Sequence, residues 1–251
     1  MKTRISTLAK EQLLRERFEP VLLADWSDAV FLHYAVKPEI LQPFVPFPLD
    51  LRDGLAYVSL VAFTMRGMRP RRGGKWSAAL FKPIATHAFL NVRTYVTHKG
   101  EPGIYFLAEW LPNKLSVCLG PPVFGLPYRH GHTHYQHDPA LGFEGSIVDA
   151  ATGAALRYRA GPVQVEAMPV AEAGSLDEFL LERYSAFTTL LGLRRRFRVW
   201  HPAWQHMKLD AVIQDNALLE CTGTWFRGAR FIGAHYAPGF RDIWMGRPRF
   251  V

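Results

Sequence analysis

Near the middle of the chain, two runs of β-branched, aromatic and aliphatic residues are joined by Lys99-Gly100-Glu101-Pro102-Gly103. Glycine supplies the positive φ of a tight reversal and proline pre-sets the turn, so this word ties residues 88–97 and 104–110 into adjacent antiparallel strands. A chain with such a hairpin at its centre has to build a sheet around it. Runs of the same composition over 29–36, 56–65, 155–166 and 208–224 supply the further strands, and turn residues separate most of them. Helical periodicity is confined to the edges of this pattern. Leu8, Leu13, Leu14 and Phe18 recur on one face over 7–17, and residues 37–48 hold one short turn of helix between prolines. The strongest helical signal spans 176–191: Ser175 stands as N-cap, Glu178 completes a capping box and Gly192 stops it. Its stripe is Leu176, Phe179, Leu180, Tyr184, Phe187 and Leu191. Many strands with two or three helices point to an α+β arrangement, a mainly antiparallel sheet closed or curled into a barrel.

At 251 residues, 49% hydrophobic and 21% charged, the chain has the material for a sizeable core. No linker, repeat or low-complexity tract divides it, so a single domain over 1–251 is expected, with 1–20 as a helical N-terminal extension. No apolar run approaches the roughly 18–20 residues of a membrane helix, and the N-terminus lacks the apolar core of a signal peptide, so a cytoplasmic protein is expected. Cys118 and Cys221 could form at most one disulfide, and each sits among apolar residues where a buried thiol is the expected state. The net charge of +8 concentrates at Arg66 to Lys75 and at Arg194 to Arg198. A phosphate-binding footprint is one reading, but glycine and proline among the first run favour solvated loops, and neither run accompanies a nucleic-acid-binding motif.

The order of several words carries a resemblance. FLHYAVKPEILQPFVP, GLAYVSLVAFTMRGMRP, LNVRTYVTHKGEPGIYFL, FGLPYR, LDEFLLERY, VWHPAW and AHYAPGFRDIW together resemble the YqjF-like family, from about Phe31 to the C-terminus. That family is similar in fold to acetoacetate decarboxylase, which implies an antiparallel β-cone around a ligand cavity with a few flanking helices. In the decarboxylases, the segment after the Lys-Gly-x-x-Gly hairpin ends in Gly-x-Pro-Lys-Lys, and its first lysine forms an imine with the substrate. Here the word is Gly125-Leu126-Pro127-Tyr128-Arg129. Tyrosine cannot form an imine, whereas Arg129 keeps a positive charge suited to a carboxylate. Lys114, in a Pro-Asn-Lys word upstream, is the alternative amine, set against its reading as a surface lysine. The resemblance also implies a short helix before Gly125, which Pro121 and Pro122 would be expected to shorten or break.

Alternation places Asn91, Arg93 and Tyr95 on one face of their strand, able to line a cavity. Arg93 either meets a ligand there or pairs with a carboxylate such as Glu109 or Glu182, since a buried arginine needs a partner in either case. His130, His132 and His134 would share a face if 130–137 is a strand. Same-face neighbours nearly 7 Å apart do not easily close three bonds of about 2 Å, so no metal is assigned there, and the resemblance brings no cofactor. His132 could act as a general acid or base near neutral pH. Trp200-His201-Pro202-Ala203-Trp204 is either a structural corner or an aromatic wall, and His33 is read as a satisfied core histidine.

The expected function is binding of, or catalysis on, a carboxylate- or carbonyl-bearing metabolite without a lysine imine at the usual position. Tyr128, Arg129 and His132 are the candidate catalytic groups; Asn91, Arg93, Tyr95, Glu109 and Trp204 are the candidate binding groups. The alternatives are an imine decarboxylase or aldolase using Lys114, and a basic interaction or nucleic-acid-binding module. A small-molecule ligand is the expected partner, with no membrane and nucleic acid disfavoured; the sequence is compatible with a homo-oligomer.

Overall fold

The computed structural model describes residues 5–164 and 168–251. In chain order its elements are α1 (Ile5–Leu14), β1 (Leu22–Val36), α2 (Pro38–Leu41), β2 (Ala56–Pro70), α3 (Gly74–Phe81), β3 (His87–His98), β4 (Glu101–Leu111), α4 (Lys114–Phe124) and β5 (Tyr128–Asp138). There follow β6 (Gly142–Asp149), β7 (Ala155–Ala160), α5 (Leu176–Leu181), β8 (Ser185–Leu190), β9 (Leu193–Trp200), β10 (Met207–Leu209), β11 (Ala211–Asp215), β12 (Arg230–Met245) and β13 (Arg249–Phe250).

The central hairpin organises the sheet as its turn chemistry requires. His98 faces Glu101 across β3 and β4, and Lys99 and Gly100 both take positive φ, 51° and 78°. Two such residues twist the turn in the sense that the strands need. From β3 the antiparallel pairing passes through β2 and β1 to β12, which meets β9; β9 pairs with β8, and β8 returns to β4 in parallel, Ala186 beside Ile104. The strands β1, β2, β3, β4, β8, β9 and β12 therefore close into a ring. β5 leaves the ring beside β4 and carries β6, β7 and β11 as an antiparallel extension.

That extension packs Phe143, Ile147, Leu156 and Tyr158 on the outward residues of β1, β2 and β3, including Val30, Leu32, Leu60, Leu90 and Val92. The other residues of the same strands face into the ring, so both faces are buried. This is why β1 is buried without a break from Ala29 to Val36 and shows no alternation.

The α+β class stands, but several local expectations change. The helix expected over 176–191 ends at Leu181, and residues 185–190 form β8 instead. Pairing with β4 on one side and β9 on the other outweighs the helical stripe, which β-branched Thr188 and Thr189 support poorly. Leu191, at φ 51°, and Gly192 then turn the chain into β9. The strand expected over 208–224 is two short strands followed by 3₁₀ turns. That expected over 155–166 ends as β7 at Ala160, and its last two positions lie outside the described residues. Pro121 and Pro122 do not break α4: Asn113 caps the Ser116 amide at 2.9 Å, the prolines fall in its final turns, and Gly125 stops it at φ 72°. Cys118 and Cys221 are free thiols, the first of them exposed. Among the described residues no helix is long and apolar enough to cross a membrane.

The strand assignment separates two residues that a helix would place on one face. Phe187 is 1% exposed against Phe47 and His98, while Leu191 is 94% exposed. Urea unfolding is expected to show Phe187→Ala destabilised by about 3–5 kcal/mol. Leu191→Ala should change stability by less than about 0.5 kcal/mol, and comparable losses from both would contradict β8.

Candidate functional site

Inside the ring, strand register brings one row of residues to the same level. Phe31 on β1 lies opposite Val61 on β2, Val61 opposite Asn91 on β3, Asn91 opposite Glu109 on β4, and Glu109 opposite Tyr128 on β5. Arg93 and Tyr95 follow Asn91 on the same face, successively deeper. Together with His201 and Trp204 from the segment after β9, this row and Arg93 enclose a cavity of about 90 Å³. A second, apolar cavity of about 440 Å³ lies between the ring and α4, with Met68, Phe81, Leu119 and Val123 in its wall. The two share Met65, Phe89, Leu126, Tyr128, Phe197 and Met245, so Tyr128 stands at the neck where an inner chamber with a few polar groups in a largely apolar wall adjoins an apolar vestibule.

The inner chamber holds polar atoms that the protein leaves unpaired. Arg93 Nε, Glu109 Oε2 and Asn91 Oδ1 are buried without a hydrogen-bond partner. Arg93 donates to the Leu180 carbonyl at 3.4 Å and lies over the Phe31 ring at 5.6 Å, but does not close an ion pair with Glu109. Burial pushes the Glu109 carboxyl well above the usual carboxylate range, and the nearby Arg93 charge only partly opposes this. Burial lowers Arg93 as well, yet a guanidinium remains protonated at neutral pH. The chamber thus tends towards a neutral acid beside an uncompensated cation. Burial, then the Glu109 charge, raises the Tyr128 phenol well above its ordinary value, so Tyr128 is a donor. Arg183 also lines the chamber, but its charge is spent on Asp50 at 2.8 Å.

His201 donates from Nδ1 to the Pro202 carbonyl at 2.7 Å, and burial lowers its pKa to about 4. Trp204 packs edge-on to Phe31 and parallel to Trp26, and its amide donates to Glu182 Oε1 at 2.7 Å. The Trp200–Trp204 segment is accordingly both a corner and a cavity wall.

Of the residues singled out from sequence, Asn91, Arg93, Glu109, Tyr128 and Trp204 meet in the chamber. Tyr95 lies below it, fully buried, and donates to the Leu180 carbonyl at 2.8 Å. Arg129 and His132 do not join them. Arg129 follows Tyr128 on a strand, so it projects to the opposite face, where it is exposed and lies 5.6 Å from the Trp110 ring. His132 shares Tyr128's face of β5 but lies further along the strand, past its pairing with β4, where it is exposed with its ring 5.5 Å from that of His130. Lys114 opens α4 and is exposed, and among the described residues no lysine lines either cavity. His33 is hydrogen-bonded through both nitrogens, to Ser59 at 2.7 Å and His235 at 2.9 Å. The second basic run is largely consumed internally: Arg196 and Arg198 pair with Glu16 and Glu101, and Arg195 donates to the Val123 carbonyl. His201 and the apolar neck are the lining groups that sequence reasoning did not assign, because their convergence depends on ring closure.

A ring of this kind with a ligand-sized chamber defines an acetoacetate decarboxylase-like fold. An acetoacetate decarboxylase-like enzyme from Sphingomonas wittichii RW1 is similar with a TM-score of 0.62 at 17% identity, covering 93% of each chain. The acetoacetate decarboxylase of Legionella pneumophila is similar with a TM-score of 0.62 at 11% identity, covering 94% of this chain and 90% of that one. The enduracididine biosynthesis enzyme MppR complexed with pyruvate is similar with a TM-score of 0.61 at 13% identity, over 93% and 91%. In sequence, the DUF2071 model, described as an uncharacterized conserved protein, matches residues 23–241. The uncharacterized protein YqjF of Bacillus subtilis (strain 168) is 30% identical over 213 residues, 81% of this chain and 82% of YqjF. The chain belongs to the DUF2071 family.

Glu109 makes stability depend on pH in a defined direction. Between the ordinary carboxylate range and its own raised value, the folded chain keeps a proton that the unfolded chain has lost, so stability falls as pH rises through that window. Glu109→Gln should raise the melting temperature near about pH 8 and give a difference that shrinks towards about pH 4.5. Parallel wild-type and variant curves across that range would show that Glu109 is not the group responsible.

Proposed function

We propose that the chain binds a small carboxylate-bearing carbonyl compound, a 2-oxo acid or close analogue, with its charged head in the inner chamber and its tail in the vestibule. The supporting observation is the convergence of three unpartnered buried polar atoms, Arg93 Nε, Asn91 Oδ1 and Glu109 Oε2, on one chamber. A buried cation without a counter-charge is costly, and a ligand carboxylate supplies that charge together with the missing hydrogen bonds. Glu109, whose carboxyl burial drives towards the neutral form, and the Tyr128 phenol are then placed as donors for a carbonyl oxygen, the arrangement that stabilises charge developing there. Such polarisation favours chemistry beside the carbonyl, and with no lysine in the lining it proceeds without an imine. The pyruvate complex of MppR, similar in fold, supports a short oxo acid as the head group.

The chamber's size supports a head of only a few heavy atoms. At roughly 10–15 Å³ for one water centre, 90 Å³ accommodates a C3–C5 acid but not a sugar or nucleotide. Its continuity with the apolar vestibule favours a longer hydrophobic tail, each buried methylene contributing about 0.8 kcal/mol.

Calorimetric titration with pyruvate and 2-oxo-octanoate is expected to show binding, tighter for the longer acid. Arg93→Met should weaken both roughly 10–100-fold through loss of charge-assisted bonds of about 1.5–3 kcal/mol, with little loss of fold stability. Arg129→Ala should leave both unchanged. Absence of binding, or binding indifferent to Arg93→Met, would sink this reading. Borohydride treatment with the same acids should leave every lysine unmodified; an adduct on Lys114 would restore the imine alternative.

Gly120 offers a test of the neck. A Cβ there would lie 2.1 Å from Tyr128 Cε2, so Gly120→Ala has to displace the phenol ring. This substitution is expected to change the affinity for 2-oxo-octanoate more than that for pyruvate; equal effects would argue against a tail passing Tyr128.

A further inference from the structure

Behind the Trp204 wall, outside both cavities, Asp177 at the start of α5 faces His206, just before β10, and His235 on β12. Their ligand atoms all lie within 4.8 Å of one another. His235 Nε2 is 3.3 Å from Asp177 Oδ1, and His206 Nε2 is 3.9 Å from Oδ2.

The hydrogen bonds around the cluster determine which nitrogens carry hydrogen. The Leu180 carbonyl can only accept, so Tyr95 donates to it at 2.8 Å. Having spent its hydrogen, the Tyr95 hydroxyl accepts from Ser59 Oγ at 2.5 Å, and Ser59 in turn accepts from His33 Nδ1 at 2.7 Å. His33 Nε2 then accepts from His235 Nδ1 at 2.9 Å. His235 therefore presents a bare Nε2 lone pair to Asp177, and that atom is buried without a hydrogen-bond partner. His206 reaches the same state independently, because its Nδ1 is directed at the Trp204 carbonyl at 3.3 Å.

Two nitrogen lone pairs facing one carboxylate repel unless positive charge sits among them. One shared proton can serve only one of the two histidines. The Lys208 ammonium, 3.7 Å from Asp177 Oδ2, belongs to a side chain 78% exposed and reaches only the outer oxygen. We propose that Asp177, His206 and His235 form a binding site for a divalent first-row transition ion such as Zn²⁺. Metal-bound histidines characteristically donate their second ring N–H to a fixed acceptor, and the Trp204 carbonyl and His33 Nε2 fill that role here. Tetrahedral donors at 2.0–2.1 Å stand roughly 3.4 Å apart, so movements on the order of 1 Å close the coordination sphere. Asp177, 25% exposed at its side chain, gives the ion a path from solvent and leaves a coordination position for water. The ion would join α5 to the β10–β12 pair and so hold the Leu180 carbonyl on which Arg93 and Tyr95 converge. Its existence is independent of what the inner chamber binds.

The test is to strip the full chain with a chelator, then titrate it with Zn²⁺ by calorimetry and with Co²⁺ by visible absorption. Binding of one ion per chain, a Co²⁺ ligand-field band and a melting temperature that rises with Zn²⁺ are expected. Asp177→Asn and His206→Gln should each weaken binding more than tenfold, while His132→Gln at an exposed position of β5 should not change it. X-ray absorption of the Zn²⁺-loaded wild-type chain needs no variant and should show a mixed imidazole and carboxylate shell. No uptake, uptake that survives both site variants, loss on His132→Gln, or a shell without imidazole would each overturn the proposal.

Discussion

Closure of the strand ring is the constraint on which everything else rests. The antiparallel hairpins alone would leave β4 and β9 as open edges; the parallel contact of β8 with β4 and its antiparallel contact with β9 join them. Backbone groups that would otherwise need water are satisfied in the ladder, and the inward faces of seven strands are withdrawn from solvent together. With β5, β6, β7 and β11 covering much of the outside, the ring strands are buried on both faces and pack like the centre of a much larger sheet. Such a frame holds Arg93 and Glu109 buried without an ion pair between them.

That interior inverts the usual electrostatic expectation. In water, a carboxyl and a guanidinium are both charged and both solvated. Inside the ring, the carboxyl is driven towards its neutral form while the guanidinium keeps its charge, so the residues play unequal parts. Arg183 shows the alternative outcome on the same lining: given Asp50 as a partner, it is a structural cation. The difference between the two arginines lies in what stands beside each of them, and their sequence surroundings do not reveal it.

Much of the fold was legible because its signals are local. The Lys99-Gly100 turn, the runs flanking it and the alternation that groups Asn91 with Arg93 all depend on residues within one strand or hairpin. The family resemblance supplied the closed architecture and focused attention on Tyr128. What was not legible depended on partners far apart in the chain. Residues 185–190 carry a helical stripe and become a strand because two neighbours pair with them. Arg129 was grouped with Tyr128 by adjacency, although a strand sends successive side chains to opposite faces. The histidine-rich stretch from His130 to His137 was conspicuous, yet the tight cluster is Asp177, His206 and His235, whose members lie on α5, just before β10 and on β12 and carry no common word.

The hydrogen-bond chain from His235 through His33, Ser59 and Tyr95 has a fixed polarity, because it ends on a carbonyl that cannot give a proton back. It is a one-way arrangement. A proton hopping towards Tyr95 would stop at the Leu180 carbonyl, which has none to pass on, and one travelling the other way would need every hydroxyl and imidazole in the series reversed. The chain therefore orients groups and does not conduct: the Leu180 carbonyl, which also accepts from Arg93, fixes which nitrogen of His33 and which of His235 carries hydrogen, although neither ring touches it.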